Sequence, residues 1–291
     1  MSAHPQLRRR AEAAASRLPP LLARAENLAN TVLLGEHGRR RSGLGDDFWQ
    51  YRPLQEGDSY RMIDWRRSAK TNAQYVRQKE WQIAQSVSLW IDSAASMDYA
   101  SRKDLAPKSD RAQLLALAAS ILLIRAGERV GLAGTALPPQ RGDGQIWRLS
   151  QALLDDNPGD DYGSPEARAM IPHSRALFIS DFLGDFAQME HALYKAADRG
   201  VRGVILQVLD PAEEAFPFSG RAIFESMRAQ VLYETRKAND LRDHYVARLQ
   251  ERKDALRKLA RITGWQYECH LTDASVQSAL LWVYRALERG R

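Results

Sequence analysis

The chain has 291 residues, of which 44% are hydrophobic and 27% charged, so it can bury a large core and a disordered chain is excluded. Its single cysteine excludes an internal disulfide and a cysteine-based metal site. The N-terminus lacks the apolar stretch of a signal peptide, and the apolar runs are too short to cross a bilayer. We therefore expect a cytoplasmic protein with no direct membrane span.

The net charge of +6 is concentrated near the N-terminus. Residues 1–41 carry eight arginines against three glutamates, so most of the excess lies in this segment. The triplets Arg8–Arg10 and Arg39–Arg41 can contact phosphates, but short basic runs near a terminus are more often a solvated surface. We expect no nucleic-acid partner, and keep nucleic-acid binding through these triplets as an alternative.

The first third of the chain divides into a helix and an irregular segment. Apolar residues recur at helical spacing from Pro20 to Leu34, which predicts an N-terminal helix. Between Gly38 and Gln82 glycine, proline and charge dominate, with one strand-like piece at Gln74–Arg77. This segment holds too many aromatic residues for a flexible linker. We predict that residues 1–83 form the helix and an ordered cap, and that residues 84–291 form a second domain.

The middle of the chain alternates between strands and helices. The strands are short apolar runs, and the helices show apolar residues at helical spacing. Such alternation predicts parallel strands joined by helical crossovers, and therefore an α/β fold with a doubly wound, mostly parallel sheet. The predicted elements are strand Val87–Ile91, helix Asp110–Ala126, strand Arg129–Ala133, a short strand running into a helix over Ile146–Leu154, strand Ala176–Ser180, helix Phe186–Arg199 and strand Val204–Leu209.

The last third departs from simple alternation. Two short segments, Ala222–Ser226 and Gln230–Thr235, predict a β-hairpin. A long amphipathic helix follows and ends at Gly264, so that we expect a hairpin and long-helix insertion near residues 221–263. Trp265–Leu271 is then the last strand and precedes a final helix. The apolar face of the long helix is predicted to comprise Leu241, Tyr245, Leu249, Leu256, Leu259 and Ile262.

Polar residues follow two of the predicted central strands. Asp92 and Ser96 come directly after the first strand, and Asp181 follows the strand Ala176–Ser180. Ligands of open α/β sheets bind beyond the carboxyl ends of the strands, and carboxylates with hydroxyls can hold a hard divalent cation. These side chains are therefore the first candidates for a site. An acid at this position can also accept hydrogen bonds from its own loop, which is the structural alternative.

This arrangement resembles the von Willebrand factor A fold, whose metal-ion-dependent adhesion site uses Asp-x-Ser-x-Ser with a distant threonine and aspartate. Asp92 and Ser96 match the first and last positions, Asp181 matches the remaining acid, and Thr135 is the candidate threonine. Ala94 stands in place of the middle serine, so that the site is degenerate. The resemblance implies a possible Mg²⁺ ion whose coordination an acidic side chain of a partner completes.

The segment before the first central strand holds an ordered set of charged, aromatic and small residues. They are Tyr51, Arg52, Pro53, Gly57, Asp58, Arg61, Asp64, Trp65, Arg66 and Ser68. This set resembles the signature of the domain of unknown function family number 58, bacterial proteins that couple this segment to a von Willebrand A-like domain. The resemblance implies a protein that is encoded beside a MoxR-type AAA+ ATPase and acts with it as an adaptor or chaperone partner, with no established enzymatic activity.

The charges and rings of this signature have two interpretations. In the first, Arg52 and Arg61 bond to carboxylates such as Asp58 and Asp64. Trp65 and Tyr51 then bury their rings and anchor the cap on the sheet domain. In the second, the signature presents a basic face to a partner. The basic residues of that face are Arg66, Arg67 and Lys70.

Motifs of several enzyme classes are missing from the sequence. It contains neither a Walker or dinucleotide glycine loop nor a Gly-x-Ser-x-Gly elbow, and its six histidines show no metal spacing. Together with the family resemblance, which implies an adaptor without enzymatic activity, these absences lead us to expect a non-catalytic interaction module that works with an AAA+ ATPase. A metal-dependent hydrolase that uses Asp92 and Asp181 is a third alternative, which would need further acids and a lysine near them.

Overall fold

The computed structural model describes residues 20–32, 48–54, 63–69, 74–79, 85–135, 137–154, 160–165, 170–225, 227 and 232–288. The helices are α1 (residues 20–32), α2 (Trp65–Ser68), α3 (Lys108–Arg125), α4 (Asp143–Leu154), α5 (Phe186–Asp198), α6 (Pro211–Ala215), α7 (Asn239–Thr263) and α8 (Val276–Glu288). The strands are β1 (Phe48–Pro53), β2 (Tyr75–Lys79), β3 (Ser86–Ile91), β4 (Arg129–Leu132), β5 (Arg175–Ser180), β6 (Arg202–Leu209), β7 (Ala222–Glu225), β8 (Leu232–Thr235) and β9 (Gln266–Leu271).

The chain forms two compact units. The larger comprises Met1–Glu36 and Gln85–Arg291, and the smaller comprises His37–Ala84. This corrects the predicted division at residue 83, because α1 belongs to the larger unit. Leu21 and Leu28 of α1 are buried in the same apolar core as α3, and Arg125 of α3 donates to Asn30 at 2.7 Å.

The larger unit is built on a parallel sheet. Among the described residues five strands pair in the order β4-β3-β5-β6-β9, and every pairing in this sheet is parallel. The order reverses between β3 and β5, since the chain first moves outward to β4 and then crosses to the other side of β3. A reversal of this kind leaves a crevice beyond the carboxyl ends of the two central strands. We call that end of the sheet the carboxyl rim.

Helices cover both faces of this sheet. Helices α1, α3, α4 and α8 bury their apolar side chains on one face, and α5 and α7 on the other. Helix α3 is buried along most of its length, because alanine, leucine and isoleucine occupy almost every position between its charged ends. The predicted α/β class with a doubly wound, mostly parallel sheet is confirmed, and the arrangement is consistent with a von Willebrand A-like fold. None of the described helices is both long enough and apolar enough to span a membrane.

The edge of the sheet at β4 is covered by a short antiparallel segment. Val130 and Gln140 exchange two backbone hydrogen bonds of 3.0 and 3.2 Å, and Leu132 donates to the carbonyl of Leu137. Two prolines, Pro138 and Pro139, lie between the bonded residues. The segment therefore pairs with the outer side of β4 without forming a full strand.

Several element predictions need correction. Residues 146–154 are helical throughout within α4, because Ile146 and Leu149 are buried at a spacing of three residues. Ile262 was predicted on the buried face of α7 but is 57% exposed, since the helix is buried only along a narrow stripe. Helix α6 was not predicted. The predicted hairpin is confirmed as the antiparallel pair β7 and β8, and Gly264 ends α7 in a left-handed conformation.

The smaller unit contains the antiparallel pair β1 and β2 and the one-turn helix α2. The hydroxyl of Ser68 donates to the carbonyl of Asp64 and accepts from the amide of Tyr75, which ties α2 to β2. Trp65 was predicted to bury its ring but is 60% exposed, because the buried apolar residue of this turn is Ile63.

The remaining parts of the signature are only partly described. The backbones of Tyr51, Arg52 and Pro53 lie in β1, and Arg66 is exposed on α2. The predicted ion pairs of Arg61 and Asp58 fall outside the described residues. So do Gly57, Lys70 and both arginine triplets.

Candidate functional site

Both predicted aspartates lie at the carboxyl rim, at the switch point of the sheet. Asp92 follows β3 and Asp181 follows β5, and these strands are neighbours. The amide of Asp92 extends the pairing by donating to the carbonyl of Ile179 at 2.9 Å. Both side chains are almost fully buried. The structure therefore brings together the two acids that the sequence singled out.

Asp92 is held by neutral donors. One oxygen accepts from the amide of Ala94 at 2.8 Å, and the other accepts from the hydroxyl of Ser180 at 2.7 Å. The amide of Gly163 also donates to this carboxylate. Ser180 in turn accepts from the amide of Phe182 at 2.9 Å, which fixes the direction of its hydroxyl. Asp92 thus organises three loops at the rim, as the structural alternative predicted.

The hydrogen bonds from these neutral donors do not fully offset the cost of burying the charged form of Asp92. Burial raises the pKa of Asp92 above its ordinary value, and the nearby charge of Asp181 raises it further. The hydrogen bonds from Ser180 and Ala94 lower the pKa, but the net direction remains upward.

Asp181 is held by a buried lysine. Its oxygens accept from the ammonium of Lys108 at 2.9 Å and from the amide of Leu183 at 3.0 Å. The Lys108 side chain is 0% exposed and also contacts a carboxylate oxygen of Glu213 at 2.6 Å. Burial alone would lower the pKa of Lys108, but the charges of the two acids outweigh it and raise the pKa. The ammonium therefore bridges β5 and α6 from the first turn of α3.

Helix α6 positions Glu213 for this contact. Asp210 begins the helix by accepting from the amide of Ala212 at 2.8 Å, and Glu213 accepts from the amide of Asp210 at 2.8 Å. This reciprocal pair is a capping box, and Pro211 occupies the first helical position. The second oxygen of Asp210 accepts from the amide of Ser101 at 2.9 Å. Asp210 and Glu213 are consequently held in place by hydrogen bonds from the protein's own backbone.

The two predicted hydroxyl ligands are used differently. The amide of Ser96 donates to the carbonyl of Asp161 at 2.9 Å, while its buried hydroxyl has no hydrogen-bond partner among the described residues. Thr135 lies in an exposed turn after β4. Its hydroxyl donates to the carbonyl of Leu132 and accepts from the amide of Leu137. Thr135 thus closes its own turn, and its hydrogen bonds do not reach the two aspartates.

These contacts do not fit the implied magnesium site. Both oxygens of Asp92 accept hydrogen bonds from the protein, and Lys108 contacts Asp181, the acid that the resemblance makes a ligand. A divalent cation at that acid would be repelled by the ammonium. Within the described ranges, no group of three or more histidine, cysteine, aspartate or glutamate side chains is arranged to hold a metal ion.

The hydrolase alternative required further acids and a lysine at the rim. Glu213 supplies a further acid and Lys108 supplies a lysine. The Lys108 ammonium, however, is enclosed and already paired with two carboxylates. A lysine that stabilises a developing charge must reach the substrate. The arrangement therefore does not favour this alternative.

An aromatic cleft opens beside the charged network that Lys108 forms with Asp181 and Glu213. It has a volume of about 210 Å³ and lies between the rim, α6, β7 and α7. Ser96 and Glu213 reach into it, so that the charged network forms part of its wall. We call this feature the aromatic cleft. Its described ring-bearing residues are Tyr99, Tyr162, Phe216, Phe218, Phe224 and Tyr245.

Two residues at this end of the sheet adopt the left-handed backbone conformation that disfavours large side chains. Phe182, directly after Asp181, has φ 51°, and Phe216, at the end of α6, has φ 44°. Such conformations cost of order 1 kcal/mol or more and persist where the surroundings enforce them. Both rings are buried. The turn at Phe216 places its ring against the rings of the cleft.

The sequence contained a usable signal for one of the missed residues. Asp210-Pro211-Ala212-Glu213 combines a helix cap, a proline at the first helical position and an acid three residues after the cap, which predicts a helix start. Lys108 offered a weaker signal, as a lysine two residues before the predicted start of an apolar helix. Nothing in its neighbourhood indicated an acid 73 residues away.

Comparison with known proteins gives relatives and solved structures. Uncharacterized proteins of Mycobacterium bovis and Mycobacterium tuberculosis are each 28% identical over an alignment of 232 residues, and the match covers 74% of this chain and 71% of theirs. A crystal structure of an aerotolerance-related membrane protein from Bacteroides fragilis aligns with 16% identity and a TM-score of 0.44. BatB from Bacteroides thetaiotaomicron aligns with 14% identity and a TM-score of 0.40. Each alignment covers 71% of this chain and 100% of the solved chain.

The family match is more extensive. Residues 50–255 match the family described as "Protein of unknown function DUF58", and this range includes the signature segment, the rim and the aromatic cleft. The family inferred from the signature is thereby confirmed, and the chain belongs to the DUF58 family.

Proposed function

We propose that this protein is a non-catalytic, cytoplasmic protein-interaction module whose recognition surface is the aromatic cleft at the carboxyl rim. The main support for the proposal is the cleft itself. Its lining combines aromatic rings with Glu213, whose carboxylate is held by Lys108. Aromatic residues are enriched at protein interfaces because they bury a large area at little conformational cost.

The partner we propose is a MoxR-type AAA+ ATPase, for which the protein acts as an adaptor or chaperone-type subunit. Support for this partner comes from the family resemblance of the signature segment. The proposed docking requires no divalent ion, since Lys108 already neutralises charge at Asp181 and Glu213.

A capture experiment tests the proposal with two matched tyrosines. Tyr162 lies in the cleft and is 48% exposed, whereas Tyr194 lies on α5 and is 41% exposed. Tagged wild type, Tyr162→Ala and Tyr194→Ala are used to capture proteins from the native host, and the MoxR-type ATPase is quantified by mass spectrometry. We expect recovery of the ATPase with wild type and Tyr194→Ala, and about tenfold less with Tyr162→Ala, as for an interface aromatic.

Two other outcomes contradict the proposal in different ways. Equal recovery with all three proteins would place docking on another surface. Recovery with none of them would remove the ATPase as partner.

A further inference from the structure

The outer side of β9 is an uncovered edge of the parallel sheet. β9 is the last strand in the order β4-β3-β5-β6-β9 and pairs with β6 over six residues without a bulge. The edge at β4 is covered by residues 137–140, whereas no residue that the structure describes bonds to the outer backbone groups of β9. The two edges of the same sheet therefore differ.

Three residues of β9 direct their backbone groups outward. The amide of Thr272, directly after β9, donates to the carbonyl of Leu209 in β6 at 2.9 Å. Because successive residues of a strand direct their backbone groups to opposite sides, Thr272 and the even-numbered residues before it face β6. The amides and carbonyls of Tyr267, Cys269 and Leu271 consequently face away from the sheet.

β9 also lacks the features that keep edge strands of different molecules apart. Folded proteins protect an open edge with proline, lysine, a bulge or a very short strand. β9 has the sequence Gln-Tyr-Glu-Cys-His-Leu, which contains neither proline nor lysine, and its pairing with β6 is regular. Such an edge is suited to pairing with a further strand.

The sequence of β9 is complementary to itself in one antiparallel register. When two copies meet about Cys269, Tyr267 lies opposite Leu271 of the second copy, and both of these side chains are half-buried in the single chain. The exposed Glu268 lies opposite His270 of the second copy. A register centred on Glu268 would instead place two carboxylates opposite each other, and like charges in that position are destabilising.

The charges around the end of β9 favour the same register. Arg111 of α3 donates to two carbonyls just beyond β9. Burial lowers the pKa of His270 to about 4, and the nearby charge of Arg111 adds to this. Burial likewise lowers the pKa of Arg111, and the charge of Arg24 acts on it more strongly than that of Asp273. The end of β9 is therefore net positive, and the antiparallel register brings Glu268 of the second copy towards it.

We propose that the protein forms a symmetric dimer in which two β9 strands pair antiparallel and join two sheets into one. The two Cys269 residues lie at the two-fold axis and exchange two backbone hydrogen bonds. Because both copies use the same surface, the assembly closes at two chains. This inference goes beyond the proposed function, since β9 contributes no described residue to the aromatic cleft.

Sedimentation equilibrium of the full chain tests the dimer over about a hundredfold range of concentration. Cys269→Pro removes an outward N–H that the single chain does not use, at a position where an edge strand tolerates proline. We expect this change to raise the dissociation constant about tenfold or more, because both central hydrogen bonds are lost. Cys269→Ser keeps the amide and should dimerise like wild type.

A charge reversal tests the same interface without a change to the backbone. Glu268→Lys places a cation opposite the positive end of β9 in the second copy, and this contact occurs twice. We expect dimerisation about tenfold weaker than that of wild type. Asp198→Lys makes the same charge change at an exposed position of α5 and should have no effect. Circular dichroism of each variant should match wild type.

Hydrogen exchange of single amides locates the interface. The outward amides of Tyr267, Cys269 and Leu271 should exchange slowly where wild type is dimeric, and faster on dilution or in Glu268→Lys. The amides of Glu268 and His270 face β6 and should exchange slowly at both concentrations, so they serve as internal controls.

Wild type that stays monomeric over the whole concentration range overturns the inference. So does a dimer that Glu268→Lys leaves unchanged, or one in which the outward amides exchange equally fast at both concentrations, since another surface would then join the copies. Outward amides that become protected only when the MoxR-type ATPase is added would assign β9 to that partner and also overturn the dimer. Each of these results leaves the role of Tyr162 in ATPase capture as a separate question.

Discussion

Asp92 and Asp181 end neighbouring strands of the same sheet, and both are almost fully buried, yet the protein holds them by different means. Asp92 accepts from backbone amides and from the hydroxyl of Ser180. Asp181 accepts from one backbone amide and from the ammonium of Lys108. The first carboxylate is solvated by dipoles, whereas the second has an opposite charge in contact.

The difference shows what each kind of partner can do for a buried acid. Dipoles reduce the cost of burying a carboxylate but supply no opposite charge, and the pKa of Asp92 is accordingly raised. An ammonium supplies the opposite charge, but it must itself be buried. If either member of the buried ion pair is removed, the other is left as an uncompensated charge, which strongly destabilises the fold. We therefore expect changes at Lys108 to destabilise the fold far more than changes at Asp92.

The largest effect is expected for Lys108→Met. This change keeps an apolar side chain of similar length but leaves Asp181 and Glu213 buried without their cation, which should reduce the free energy of unfolding by about 3–5 kcal/mol. Urea denaturation followed by circular dichroism measures the loss. Lys258→Met, on the exposed side of α7, is the matched control and should stay within about 0.5 kcal/mol of wild type. A loss below about 1 kcal/mol for Lys108→Met would contradict a buried ionic bridge.

A smaller effect is expected for Gly163→Ala. A Cβ atom at Gly163 would overlap the carboxylate of Asp92, so the loop or the acid must move, at a cost of about 1–3 kcal/mol. Gly144→Ala in α4 is the matched control, because a Cβ there meets nothing within 4 Å. Since alanine is the better helix former, that variant should unfold at a slightly higher urea concentration than wild type. Equal midpoints for the two variants would show that Gly163 does not hold Asp92.

The smallest effect is expected for Asp92→Asn, and it depends on pH. Because the pKa of Asp92 is raised above 3.8, the folded protein holds this proton more tightly than the unfolded chain does. Wild type therefore loses stability as the pH rises from about 4 through the folded pKa, whereas the variant lacks this titration. The stability of Asp92→Asn relative to wild type should rise between about pH 4 and pH 7, measured by urea denaturation at each pH.

The exposed acid Asp104 provides the control for this experiment. It pairs with Arg102 in a solvated loop, so Asp104→Asn controls for the loss of one exposed carboxylate. A stability gap between Asp92→Asn and wild type that stays constant or narrows with rising pH would mean that burial does not dominate at Asp92.

Much of this site was accessible from the sequence because it depends on local order. Short apolar runs gave the central strands, and the rule that ligands gather beyond strand ends selected Asp92, Ser96 and Asp181. Ser180 lay beside a selected residue, but its role depends on which neighbouring loop faces it. Sequence order alone does not contain that information.

The partners from distant parts of the chain could not be predicted in the same way. Lys108 meets Asp181 and Glu213 only because α3 packs on one face of the sheet with its first turn at the carboxyl rim, and this packing depends on the whole core. The aromatic cleft likewise draws Phe216, Phe224 and Tyr245 from a loop, a hairpin and a long helix. The prediction for Trp65 was wrong, because its ring is exposed. Composition predicts that large rings are mostly buried, but it does not say which ring is left exposed.

The antiparallel segment beside β4 has a consequence for association between copies of this chain. An uncovered outer strand offers a row of amide groups on which another strand can assemble. Here the carbonyls of Leu137 and Gln140 accept hydrogen bonds from the amides of Leu132 and Val130 in β4. The two prolines of the segment have no N–H that could bond to another strand. A strand of a second copy would have to displace this segment before it could pair with β4.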